Sequence, residues 1–278
     1  MQEKTLQFFN SKLTYYDSET HLPTIFFCHA NGYSAGCYRT YFRELTKNYR
    51  VVALDFIGHG KSESNLQYDS WYFFRDQILS VIEKESLSNI TGIGHSLGGA
   101  SLLLASVKNP IVFRKILALD PVILGIKLIT LAKLLGNPLA KSAVKRRTEF
   151  QSIELVRRAF KKFPQFANFD SKIFEDYLES CFVQKPNSKE VMLAGDPQVE
   201  AKTFSMAHYS VYFQFYKLKN EAHICIPNPF EVCSPTLGNM LIRNNPKSSL
   251  TIWDDTTHFF PFEKPKETLH WIYQKLSC

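Results

Sequence analysis

Residues 94–98 read Gly-His-Ser-Leu-Gly, a G-x-S-x-G in which Ser96 is framed by two glycines. The motif follows NITGI, which reads as a strand, and precedes ASLLLASV, which reads as a helix. In that context it describes a nucleophile elbow, a sharp strand-to-helix turn that needs glycine on both sides and lifts the serine Oγ clear of the sheet. A helix N-terminus favours negative charge, which suits an attacking oxygen and the oxyanion that attack creates. A serine hydroxyl is a poor nucleophile until an imidazole takes its proton, and that imidazole needs a carboxylate to fix its tautomer. The rest of the chain must therefore bring a histidine and an acid to Ser96.

The elements that could do so alternate. TIFFCHA (24–30), RVVALDF (50–56), NITGIGH (89–95) and KILALD (115–120) are continuous apolar runs, the pattern of strands buried on both faces. CYRTYFRELTKN, SWYFFRDQILSVIEKES and GGASLLLASVKNP lie between them, each long enough for a crossover helix. This alternation predicts an α/β fold with a mostly parallel sheet and helices on both faces. After Pro121 the alternation stops, and to about Glu221 the chain reads as helical or irregular; strands resume with HICI, PFEVC and SLTIWDD, and KETLHWIYQKL closes the chain as a helix. An insertion of about 100 residues exceeds ordinary loop lengths and is expected to form a subdomain. The expected division is a core at 1–121, a helical cap at 122–221 and the remainder of the core at 222–278.

With these motifs in place the sequence resembles the α/β-hydrolase superfamily over nearly its whole length. HANGYS (29–34) looks like that family's H-G-x oxyanion loop, ALDFIGHGKS (53–62) is similar to its D-x-x-G-x-G-x-S turn, and HFFPFEKPKETLHWI looks like its catalytic histidine, His258, followed by the closing helix. The resemblance implies a Ser–His–acid triad and an oxyanion held by two backbone N–H groups, those of Leu97 and Tyr33. If His29 holds the histidine's place in the H-G-x pattern, the second donor shifts by two positions. The usual G-x-x-D after the strand following the cap is missing; the stretch reads Phe-Glu-Val-Cys-Ser-Pro-Thr (230–236). Asp120, in LALDPV, resembles the L-D-P-A acid of pancreatic-type lipases and is the first choice, with Glu231 the runner-up and Asp254 or Asp255 disfavoured by closeness to His258. A serine at the elbow argues against the dehalogenases and epoxide hydrolases of the superfamily, which use aspartate there. Acyl transfer to water is the expected reaction, on a fairly apolar small-molecule ester; carbon–carbon bond hydrolases, lactonases and a non-catalytic ligand-binding protein share the scaffold. Neither a metal nor an organic cofactor is called for.

Composition narrows the rest. The chain has 278 residues, 45% apolar and 21% charged, with 12 Gly and 13 Pro, outside the disordered and low-complexity classes. Its +7 formal charge is local: residues 125–165 hold ten Lys or Arg against two Glu. No nucleic-acid signature accompanies that stripe, so nucleic acid is not an expected partner, and a solvated face or a weak contact with an anionic surface remains. The six cysteines form no C-x-x-C pair, and the first residues lack a signal-peptide pattern, so free thiols and a cytoplasmic location are expected. Tyr209, Tyr212 and Tyr216 share a helical face that would line a pocket roof or pack in the core.

Overall fold

The structure, a computed structural model, describes residues 1–206 and 208–277. An N-terminal antiparallel hairpin, β1 (Gln2–Phe8) and β2 (Ser11–Asp17), leads into β3 (Thr24–Cys28), β4 (Arg50–Asp55), β5 (Ile90–His95) and β6 (Phe113–Leu119). The crossovers carry α1 (Arg39–Leu45), α2 (Tyr72–Lys84) and α3 (Leu97–Lys108). In the inserted segment are α4 (Ile126–Leu135), α5 (Pro138–Val144) and a three-stranded sheet of β7 (Glu149–Phe150), β8 (Phe182–Gln184) and β9 (Val191–Leu193). The main sheet is completed by β10 (Glu221–Asn228) and β11 (Ser249–Asp254), and runs β1-β2-β4-β3-β5-β6-β10-β11. From β4 to β11 every pairing is parallel.

Side-chain alternation divides the core into two layers. Phe26, Cys28, Val52 and Leu54 face a cluster with α2 and α3, while Ile25, Phe27, Val51 and Ala53 face one with α1 and the closing helix Pro265–Ser277. Both faces of the central strands are thus covered by helices, and their apolar residues are fully buried.

The expected α/β architecture is the one observed, with three differences in detail. The hairpin of β1 and β2 was not among the expected strands; its signal is the alternating run of β1, where only every second residue turns inward. PFEVC is not a strand, because β10 ends at Asn228 and residues 229–233 form a loop. Pro229 has no N–H for a ladder, so the chain leaves the sheet there. Among the described residues, the segment between β6 and β10 adds no strand to the main sheet, yet it is not wholly helical, since β7, β8 and β9 pair with one another inside it.

Candidate active site

The turn between β5 and α3 puts Ser96 at φ 55° and ψ −117°, a backbone conformation that side chains rarely adopt. Its backbone is pinned on both sides. Ser96 N–H donates to Leu119 C=O at 3.0 Å, and Ser96 C=O accepts from Ala100 at 3.1 Å and Val122 at 3.2 Å. The glycines answer to close approach rather than to flexibility. A Cβ on Gly94 would meet the carbonyl carbon of Gly98 at 2.5 Å, and one on Gly98 would strike the carbonyl of Cys28 in the neighbouring strand.

Asp120 directly follows β6, one strand over, and it too has a positive φ, 38°. Its N–H donates to Cys225 C=O at 2.7 Å, which ties it to β10. The carboxylate is fully buried and engaged at both oxygens: Oδ1 accepts the Cys233 N–H at 3.2 Å, and Oδ2 lies 2.6 Å from His258 Nδ1. An imidazole whose Nδ1–H is held by a carboxylate presents Nε2 as a proton acceptor. Glu231, by contrast, is exposed, and Asp254 Oδ1 accepts from the Asn228 side chain. The loop expected to be a strand therefore contributes a backbone N–H to the acid instead of an acid of its own.

Inside the elbow, His95 sits next to His258. Its Nε2–H donates to the His258 carbonyl at 2.9 Å, and its Nδ1 accepts from the Tyr38 hydroxyl at 2.7 Å. Burial, and then the neighbouring His258 ring, hold its pKa well below the ordinary histidine value, so it stays neutral. The signal that could have found it is its place inside the elbow, where its ring sits 4.9 Å from that of His258.

The loop after β3 departs from expectation. His29 is fully buried at the strand end, with its Nε2 accepting the Phe56 N–H at 2.9 Å and Nδ1 on Ala30 C=O at 2.7 Å. Tyr33 N–H donates to Ala30 C=O at 3.2 Å, which closes a turn through Gly32 at φ +79°. The Tyr33 N–H is thus engaged within its own loop. The Tyr33 ring turns toward the inserted segment, against Tyr177 and Phe259, with its hydroxyl 2.6 Å from Gln165 Nε2.

The Asp55 turn has a structural task. Asp55 accepts from the Ala35 N–H at 2.7 Å, the Lys61 N–H at 2.9 Å and the Tyr16 hydroxyl at 3.0 Å, joining the two loops that flank the site. Where the inserted segment meets those loops, Arg146 and Glu200 are ion-paired at 2.6 Å, and Glu200 lies against Gly32. Among the described residues, no group of three or more His, Cys, Asp or Glu could hold a metal ion. Cys37 and Cys181 bring their sulfurs within 3.4 Å across the same junction, and both are free thiols.

The fold and this geometry place the chain in a known class. The alpha/beta hydrolase family pattern matches residues 25–271, and the chain belongs to that family. It is similar to a probable 1-acylglycerol-3-phosphate O-acyltransferase of Oryza sativa subsp. japonica, 29% identical over 34% of this chain and 24% of that protein. It is also similar to the (E)-2-((N-methylformamido)methylene)succinate hydrolase of Acinetobacter baylyi, 26% identical over 44% of this chain and 46% of that enzyme. The matched stretch thus spans less than half the length of either relative. Among solved structures, E-2-(acetamidomethylene)succinate hydrolase superposes with a TM-score of 0.83 at 15% identity, over 100% of this chain and 99% of that one, a likeness of fold.

Proposed function

We propose that this protein is a serine hydrolase that cleaves a carboxylic ester or related acyl bond through a Ser96–His258–Asp120 triad. The observation that carries the reading is the 2.6 Å contact between Asp120 Oδ2 and His258 Nδ1, made beside the elbow that holds Ser96. Ser96 Oγ attacks the carbonyl carbon while His258 Nε2 takes the hydroxyl proton; Asp120 holds the resulting imidazolium. The oxyanion is received by the N–H of Leu97, at the start of α3, and by that of Asn31, the residue after His29-Ala30. The imidazolium protonates the leaving oxygen as the carbon–oxygen bond breaks, leaving an acyl-serine. Water, deprotonated by His258, then releases the acid and restores Ser96. Each backbone donor is worth about 10²–10³ in rate, because it is oriented before charge develops.

The acyl side is read as apolar. Phe259 stands 5.3 Å from the His258 ring, and Phe262, Phe169, Tyr33 and Tyr177 continue an aromatic wall from it. Arg146, which lines a pocket with Gly32 and Tyr33, is paired with Glu200, which favours an uncharged acyl group over a dicarboxylate. The missing acid after β10 would favour a non-catalytic protein, but the contact of Asp120 with His258 supports the enzymatic reading.

The test is a panel of nitrophenyl esters of increasing chain length with a fluorophosphonate probe. Turnover and stoichiometric labelling, both abolished in Ser96→Ala, are expected. An unlabelled wild type, or hydrolysis that survives Ser96→Ala, would overturn the assignment.

A further inference from the structure

Helix α4 is built with its apolar side outward. Of its ten residues only Ile129 is buried. At 3.6 residues per turn, Leu131, Leu134 and Leu135 project opposite Ile129, and Leu128 flanks them. Leu134 is 76% exposed and Leu135 68%. Leu139 and Val144 on α5 are also exposed, so the apolar surface continues past Gly136. A soluble helix normally turns such a stripe to the core; a contiguous exposed one marks an interaction site.

The charge around this surface identifies its occupant. Residues 121–148 contain no Asp or Glu, while Lys127, Lys133, Lys141, Lys145 and Arg147 are exposed there. Lys133 lies over the Tyr209 ring at 4.4 Å, holding one cation on the flank where α4 meets its neighbour. Leucines framed by lysines, with no acid between them, match the layered chemistry of an anionic bilayer, with acyl chains below and phosphates at the headgroup level. A second copy of the chain would bring the same unpaired positive charge against itself, and nucleic acid would leave the leucines in water.

We propose that the α4–α5 face docks this protein on an anionic phospholipid bilayer, with Leu131, Leu134 and Leu135 entering the interface and the lysines reading the phosphates. This surface is independent of the catalytic assignment, so its test does not use hydrolysis. The full chain is sedimented with extruded vesicles of pure phosphatidylcholine or of phosphatidylcholine with phosphatidylglycerol. Binding to the anionic vesicles, weakened by salt, is expected. The triple variant L131E/L134E/L135E should lose binding, and K127E/K133E/K141E should lower the partition coefficient about 100-fold, at about fivefold or more per cation. All six positions are exposed, so unchanged melting temperatures should accompany both losses. Wild-type protein that stays in the supernatant, binding indifferent to salt, or a triple-Glu variant that binds like wild type would each overturn the proposal. So would a leucine-dependent dimer in light scattering, or retention on duplex DNA, without vesicle binding.

Discussion

Asp120 and His258 stand 138 positions apart in the chain and 2.6 Å apart in space, the carboxylate just after β6 and the imidazole following β11. The two strands are not neighbours; β10 lies between them. The acid reaches across because its own N–H is fastened to Cys225 of β10 and its second oxygen to the Cys233 N–H in the loop beyond.

Asp120→Asn should therefore lower kcat by up to about 10⁴-fold, since an amide can stabilise the wrong imidazole tautomer and cannot balance an imidazolium. The KM for a nitrophenyl ester should change little. Glu231→Gln, altering an exposed side chain, should leave both constants within about twofold, within the range of surface substitutions. Steady-state kinetics of the two variants compare the two candidate acids directly.

Ser96 is held at a φ of 55°, where a side chain costs about 1–3 kcal/mol and glycine almost nothing. Ser96→Gly should remove acyl transfer and yet raise the free energy of unfolding by about 1 kcal/mol, less than the full strain because glycine's unfolded chain has more freedom to lose. Urea denaturation of wild type, Ser96→Gly and Ser96→Ala measures this, with the alanine variant retaining the strain.

Gly98 and Gly125 make opposite predictions for one added methyl. At Gly98 the Cβ would run into the Cys28 carbonyl, so Gly98→Ala should cost about 3 kcal/mol or more, or prevent folding. Gly125 has nothing within 4 Å of that position and an ordinary φ of −70°, so Gly125→Ala should be neutral or stabilising by up to about 1 kcal/mol. Thermal melts of the pair separate crowding from glycine's general effect.

Acid stability should depend on Asp17. Its side chain is fully buried and accepts from Arg50 at 2.6 and 3.0 Å, from Lys4 at 3.0 Å and from the Glu19 N–H at 2.8 Å. Burial alone would raise its pKa, but these donors, Arg50 foremost, outweigh it and hold the carboxyl well below the usual range. A depressed folded-state pKa stabilises the protein above the unfolded value, about 3.9, and that contribution is lost as pH falls from there toward the folded value. Unfolding free energy should drop through that window, and Asp17→Asn should flatten the drop. At neutral pH the substitution should cost about 2–3 kcal/mol, at the low end for a broken buried pair because Arg50 and Lys4 are partly in water. Denaturation at pH 3 and pH 7 tests both statements.

Much of this was legible in the residues. The apolar runs at β3 to β6 and the glycines around Ser96 announced the sheet and its elbow, because burial on both faces and close backbone approach each leave a local mark in composition. The helix that closes the chain after His258 was readable too. Tyr33 was harder: HANGYS admits two alignments to an H-G-x loop, and only the fold buries His29 against the Phe56 N–H and turns the Tyr33 N–H back on Ala30. The supports of the acid were invisible for the same reason, since a Cys233 backbone donor has no sequence signature. The outward leucines of α4 were countable in the chain but not assignable to a side until the one buried residue, Ile129, was known.

The sequence by itself determined the α/β alternation and the glycine-framed strand-to-helix turn at Ser96, because period, length and glycine placement act over a few residues. The tertiary structure alone decided that Asp120 rather than Glu231 meets His258, that Tyr33 spends its N–H within its own loop, and that α4 shows its leucines to solvent. Each of those depends on contacts between segments far apart in the chain, fixed by strand order and packing, and neither quantity is written in any short run of residues.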